Sequence, residues 1–302
     1  MAEGASVDVS AVKHRLGRVG VWLASASEAP AEVERRVVVA IEQLGYCAFW
    51  FGETPRGKEA FTHAATVLSW TERMLVATGI ASIYGRDAVA AAGAAATLAD
   101  AWPDRFVLGL GVSHAPSVTS RGHDYGRPVA TMRSYLETMD ATEPVLPVAA
   151  PRVLAALRPR MLELSRTHAQ GAHTYFTTPA HTARAREVLG DDAILAVEQA
   201  VVVGTDADAA RATAREYAAR YLRLPNYRNH LRELGFSDTD LDGGGSDALI
   251  EAIVPSGDPD ALAERVRAHH EAGADHVCVQ PIAATLDEQT EHLRLLAPVL
   301  TT

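Results

Sequence analysis

Asp100-Ala-Trp-Pro-Asp-Arg-Phe-Val-Leu-Gly-Leu-Gly-Val-Ser-His114 reads as a helix end, a turn, and an apolar strand that stops in glycines, a hydroxyl and an imidazole. Phe106 to Leu110 is the kind of short, wholly apolar run that packs in a parallel sheet covered on both faces. Pro103 ends the preceding helix, because the residue before a proline is driven out of the helical region. Gly109 and Gly111 remove side chains at the strand's C-terminal end, which leaves room for a flat ligand to approach the backbone. Ser113 and His114 then supply polar groups just beyond. In a βα protein, chemistry is done at that end of the sheet.

The same alternation extends both ways along the chain. Strands are predicted at residues 18–24, 47–52, 75–83, 106–111, 153–157, 172–176, 194–203 and 276–282. Helices are predicted at 31–44, 61–71, 88–102, 128–140, 159–169, 179–189, 206–224 and 286–300. Val33, Val37, Ile41 and Leu44 make one apolar helix face that Gly45 ends. Asp206 is placed to cap its helix. Pro144, Pro147 and Pro151 mark turns before the fifth strand. Eight βα repeats argue for a single (β/α)8 TIM barrel over 1–302, with residues 1–17 as an N-terminal extension. Between strands seven and eight, residues 225–257 are too many for one crossover. Asp242-Gly-Gly-Gly-Ser246 lies within them, and the segment reads as extra helices plus a mobile loop near the barrel mouth. The alternative is a surface excursion with no role.

Composition narrows the function classes. The chain has 302 residues, 48% of them hydrophobic, and a formal net charge of −10. That balance argues against a nucleic-acid partner. No apolar run approaches membrane-spanning length and residues 1–12 show no cleavable-signal pattern, so a cytoplasmic location is expected. Cys47 and Cys278 are the only cysteines, and both fall in predicted strands. Buried, reduced thiols are expected there. The histidines have no HxxxH or HExxH spacing, so no catalytic metal is expected. No strand-linked GxGxxG and no Walker sequence is present.

The 104–114 segment resembles the fourth strand and following loop of the luciferase-like monooxygenases, and is closest to the branch that uses the deazaflavin coenzyme F420. Two other stretches agree: Ala40-Ile-Glu-Gln-Leu-Gly-Tyr-Cys-Ala-Phe-Trp-Phe-Gly-Glu53 and Val76-Ala-Thr-Gly-Ile-Ala-Ser-Ile-Tyr-Gly-Arg86. The resemblance runs from about residue 18 to residue 300. It implies a coenzyme F420-dependent oxidoreductase that moves a hydride between the deazaflavin and a small organic substrate. FMN is the alternative cofactor, for a monooxygenase, and a non-catalytic flavin-binding homologue is a third reading. It also implies a cis Gly79–Ile80 bond backing the ring, with Gly79, Ile80, Ala81, Ser82, Gly111, Val112 and Ser113 at the cofactor. Leu157 and Arg158 would lie at its tail phosphate, and Thr174 and Tyr175 where the sixth strand reaches the cofactor. Family members commonly pair through the side of the barrel where the Ala-rich helix 88–101 lies, so a homodimer is expected.

Each candidate has a plainer alternative. Strand ends aim side chains into the mouth, so Glu53 is a candidate acid or base. His114 is a candidate proton or hydrogen-bond donor, although a lone histidine is more often structural. Thr54 and Arg56 are candidate substrate contacts; Arg56 equally fits a solvated loop, and Lys58 fits one better. Sugar-phosphate dehydrogenases of the family carry Asp-His where this chain has Glu53-Thr54, and the missing histidine argues against that chemistry. Leu157-Arg158 replaces a common Gly-Gly, so backbone approach is lost while a phosphate-pairing cation is gained. Arg158 could instead face solvent.

Overall fold

The computed structural model describes residues 7–142, 146 and 148–301. The expected turns at Pro144 and Pro147 lie outside them. Eight strands form the barrel: β1 (Val19–Trp22), β2 (Ala48–Phe51), β3 (Leu75–Thr78), β4 (Phe106–Gly111), β5 (Arg152–Ala155), β6 (Gly171–Thr174), β7 (Ile194–Val203) and β8 (His276–Pro281). Each pairs in parallel with the next, and β8 closes the ring on β1 through Val19 opposite Val277. Two-residue strands at Ala81–Ser82 and Ser256–Gly257 add to β4 and β7.

The helices are α1 (Val9–Leu16), α2 (Ala31–Gln43), α3 (Ala60–Trp70), α4 (Ala88–Ala101), α5 (Ala115–Thr119), α6 (Pro128–Ala141) and α7 (Pro159–His168). They continue with α8 (Pro179–Leu189), α9 (Ala207–Leu222), α10 (Pro225–Glu233), α11 (Asp238–Leu241), α12 (Asp247–Ile253), α13 (Pro259–Glu271) and α14 (Leu286–Leu300). Asp206 caps α9 as expected, accepting from the amides of Asp208 and Ala209 at 3.1 Å.

Strand alternation separates two cores. Trp50, Val107, Val153, Ala196 and Cys278 fill the barrel. Phe49, Phe51, Leu108, Val197 and Val277 pack outward against the helices. Trp50 stacks on His173 at 4.6 Å and donates its indole N–H to His276 Nε2 at 3.0 Å. Burial pushes the His173 imidazole down to about 3 and that of His276 to about 4, so both are neutral in the folded protein.

Within the N-terminal extension, Leu16 is fully buried in the barrel-interior core, with Val9 and Val12 packed beside it. Two expectations are corrected. Cys47 lies just before β2 and is exposed, whereas Cys278 is buried as expected. Lys58 is not a solvated lysine. It pairs with the fully buried Glu34, which also meets His63, and its ammonium donates to the Ala26 carbonyl at 3.0 Å. A buried carboxylate needs such partners.

Residues 225–257 form α10, α11 and α12, which share a second apolar core with α9 over the ends of β6 and β7. The expected loose loop at 242–246 is bonded: Gly245 N donates to Asp242 O at 3.0 Å, Ser246 N to Asp240 O at 2.9 Å, and Arg215 holds the Gly245 carbonyl.

Candidate active site

The opening glycines face the chain itself. β3 stops at Thr78, the Gly79–Ile80 bond is cis, and pairing with β4 resumes at Ala81 opposite Leu110. Thr78 Oγ1 donates to the Gly109 carbonyl at 2.7 Å and accepts the Gly109 amide at 2.9 Å. A Cβ on Gly109 would lie 1.8 Å from the Thr78 carbonyl oxygen, and one on Gly111 would lie 2.5 Å from Ile80 Cδ1. These glycines therefore make room for the bulge at 79–80. Reading them as clearance for a ligand is corrected: it is the bulge, seated on them, that presents a face to the mouth.

Glu53 braces that bulge. Its amide donates to the Ile80 carbonyl at 3.1 Å, and its Oε2 accepts the Ser82 amide at 2.8 Å. Its Oε1 pairs with the Arg86 guanidinium, which also meets Glu59 at 2.8 Å. Only 5% of the Glu53 side chain is exposed. Both oxygens are thus committed, and the geometry suits positioning better than acid–base exchange. On the other side, Trp22 Nε1 donates to the Gly79 carbonyl at 3.1 Å.

Ring contacts run in a line from Trp22 to His114. Trp22 lies 5.0 Å from Tyr175, Tyr175 lies 5.4 Å from Tyr221, Tyr221 lies 5.3 Å from Tyr227, and Tyr227 lies 5.7 Å from His114. His114 precedes α5 at the end of the β4 loop. Burial holds its imidazole below the usual range, with the Asn226 side chain working the other way. Gly79, Ile80, Val112, Ser113, His114, Tyr175 and Tyr221 are all partly exposed, so the wall has an open side.

Behind Tyr175 lies a polar knot that the sequence reading missed. Its hydroxyl meets those of Tyr217 at 2.8 Å and Tyr221 at 2.7 Å, and Gln280 Oε1 at 3.0 Å. Tyr217 also donates to Gln280 Oε1, at 3.1 Å. Glu198 lies within the charge field of these phenols, fully buried. Burial pushes its carboxyl up to about 8, and the Phe176 amide donates to its Oε2 at 3.1 Å.

The other sequence candidates fall as follows. Thr174 pairs in register with Val197, which belongs to the helix-facing core, so it points away from the mouth while His173 and Tyr175 point in. The Leu157 carbonyl receives His181 Nε2 at 2.8 Å. Arg158 donates to Glu233 of α10 at 2.8 Å and its side chain is 53% exposed. Thr54 and Arg56 are exposed on the loop after β2. Glu53, Thr54, Ser82 and Ser113 do meet, around a cavity of about 10 Å³, space for about one water. His114 and Tyr175 border the mouth elsewhere.

The sequence pattern of the luciferase-like monooxygenases matches residues 15–276. The chain belongs to that family. Among solved structures, this luciferase-like protein is similar to an F420-dependent secondary alcohol dehydrogenase in complex with an F420–acetone adduct. The TM-score is 0.72 at 15% identity, covering 94% of this chain and 99% of the other. It is similar to the coenzyme F420-dependent tetrahydromethanopterin reductase from Methanopyrus kandleri, with a TM-score of 0.70 at 16% identity over 94% and 99% of the two chains. It is also similar to the FMN-bound oxygenating constituent of 3,6-diketocamphane monooxygenase from Pseudomonas putida. There the TM-score is 0.69 at 14% identity over 94% and 97%. At these identities the likeness concerns the fold. A search of the curated proteins found no match.

The mouth of this family member fits the flat part of such a cofactor. The bulge at 79–80 offers a partly exposed backbone and the Ile80 side chain, and Trp22, Tyr175 and Tyr221 make an aromatic wall. Arg158, at the N-terminus of α7 and paired with Glu233, is the cation that would hold an anionic tail. Among the described residues, no helix is long and apolar enough to cross a membrane.

Proposed function

We propose that this protein is a coenzyme F420-dependent oxidoreductase that transfers a hydride between the deazaflavin and a small organic substrate. The bulge supports this reading most: Thr78 and Gly109 lock it from behind, Trp22 and Glu53 from the sides. A rigid backing of this kind holds a flat ring against the reacting carbon at no reorganisation cost during reaction. When bound, the cofactor supplies or accepts the hydride at its central ring.

The chain's own residues have separate tasks in this reading. Gly79 and Ile80 back the ring. Glu53 and Arg86 hold Ser82 and so fix the bulge's far end. Arg158 pairs with the tail phosphate after leaving Glu233. Tyr227 and Tyr221 exclude water from the reacting face. His114, neutral, offers one N–H and one lone pair to a substrate oxygen. The whole of 1–302 acts as one unit, the substrate is a small molecule, and the protein pairs through α4.

Titrating cofactor-free protein with oxidised F420 and with FMN, followed by fluorescence and absorbance, tests the reading. Tight F420 binding and weak FMN binding are expected. The reverse order makes the protein an FMN-dependent monooxygenase, and binding of neither makes it a non-catalytic homologue.

A further inference from the structure

We infer that Tyr221, backed by Tyr175 and Tyr217, is the group that donates a hydrogen bond and then a proton to the substrate's carbonyl oxygen. The inference rests on the oxidoreductase reading, because hydride transfer to a carbonyl needs a matching proton. Neither sequence candidate serves well. Glu53 has both oxygens bound to Ser82 and Arg86. Burial lowers the His114 imidazole, which disfavours the protonated form that would give a proton.

The phenols are better built for it. Tyr221 is partly exposed, and its ring lies 5.4 Å from that of Tyr175, which in turn lies 5.0 Å from Trp22 beside the bulge. Its hydroxyl has one partner among the described residues, Tyr175 at 2.7 Å, whereas Tyr175 has three and Tyr217 two. Tyr221 is therefore the member whose hydrogen is freed by a single reorientation: when Tyr175 donates to Tyr221, Gln280 Oε1 keeps Tyr217 as its donor, and the Tyr221 proton can point at the substrate. The same bond from Tyr175 then supports the phenolate that remains once the proton has gone. Burial holds the Tyr221 hydroxyl above its ordinary range, so it keeps its proton until a strong base such as a developing alkoxide meets it, while the Tyr175 and Tyr217 hydroxyls work the other way and favour the phenolate.

The proton and electron count closes. The hydride that reaches the carbonyl carbon would come from the reduced deazaflavin or flavin when bound, and the C=O π pair moves to oxygen. That oxygen bonds to the Tyr221 proton as the Tyr221 O–H bond breaks. The phenol chain takes one proton back from solvent after the alcohol leaves.

4-Nitrophenol tests this without knowledge of the substrate. Its phenolate stands for the developing oxyanion, and its absorbance separates phenolate from phenol. At a pH where the free probe is mostly phenol, the wild-type protein should bind it with phenolate absorbance. Tyr221→Phe should bind about tenfold more weakly, the loss of one hydrogen bond to a charged group, and with phenol absorbance. Tyr175→Phe, which removes the support, should weaken phenolate binding as well, and serves if Tyr221→Phe fails to fold. Unchanged binding and absorbance in a folded variant, or no binding to wild type, overturns the inference. F420 and FMN titrations of the same proteins report separately on the cofactor reading, so the two failures are distinguishable.

Discussion

Replacing each of the two strand glycines by alanine should produce unequal damage. At Gly109 the new Cβ would lie 1.8 Å from the Thr78 carbonyl oxygen, a backbone atom that moves only if β3 and β4 separate. That separation breaks both bonds between Thr78 Oγ1 and Gly109, at 2.7 and 2.9 Å. At about 1 kcal/mol per bond, with about 1–3 kcal/mol for forced overpacking, Gly109→Ala should cost about 3–5 kcal/mol. At Gly111 the obstacle is the Ile80 side chain, whose Cδ1 and Cγ1 lie 2.5 Å away, with Ala155 Cβ at 3.3 Å. Ile80 can turn toward the open mouth, so Gly111→Ala should cost about 1–2 kcal/mol. It should also impair binding of a flat cofactor, because Ile80 then enters that space. Urea unfolding followed by circular dichroism measures the first quantity, compared at equal slope. Gly109→Ala within 1 kcal/mol of wild type, or Gly111→Ala the more damaging of the two, would refute the account of how the bulge is seated.

Three further outcomes are expected. Arg158→Ala should weaken F420 binding by about 1.5 kcal/mol, the low end for a bond to a charged group because the side chain is half exposed; unchanged affinity in a fluorescence titration makes Arg158 a surface residue. Glu198, raised from 4.5 to about 8 by burial among Tyr175, Tyr217, Tyr221, Tyr227 and Cys278, keeps its proton in the folded state across that window, where the unfolded chain has lost its own. Its stabilising contribution therefore falls as pH rises from about 4.5 to about 8. Glu198→Gln should gain on wild type across that range and level off above it, and melting curves with a constant offset would contradict this. Finally, α4 exposes Val89, Gly93 and Thr97 on one side, and a Cβ on Gly93 would meet nothing within 4 Å. Sedimentation at micromolar concentration should give a dimer, and Gly93→Arg a monomer; a wild-type monomer near 32 kDa removes the pairing.

The barrel was legible because its information is local. Apolar runs ending in glycine, and helices stopped by Pro103 or capped by Asp206, each declare themselves within a dozen residues. The bulge was legible through resemblance, at the bond between Gly79 and Ile80. What escaped depends on pairs far apart in sequence. Nothing near Glu53 shows that Arg86 and the Ser82 amide will take its oxygens, and nothing near Arg158 points to Glu233. Thr174 was misplaced by one step of strand parity, which places its neighbours His173 and Tyr175 inside and itself outside.

The phenol knot did leave a trace. Glu198-Gln199 interrupts an otherwise apolar strand, Ile194–Val203, in which both faces are covered. A carboxyl there must either find partners or stay protonated. Gln199 finds His269 at 2.8 Å on the outer side. Glu198 faces inward, toward the mouth. Tyr217 and Tyr221, four apart on α9, stand on one helix face. A polar interruption in a buried strand and paired phenols on the next helix can meet only at the barrel's C-terminal end, where β7 hands over to α9. With the strand order, which sets β7 across the barrel from β3, those two patterns place a buried acid and hydroxyl donors on the wall opposite the bulge, where the proposed substrate would meet a ring resting on the bulge.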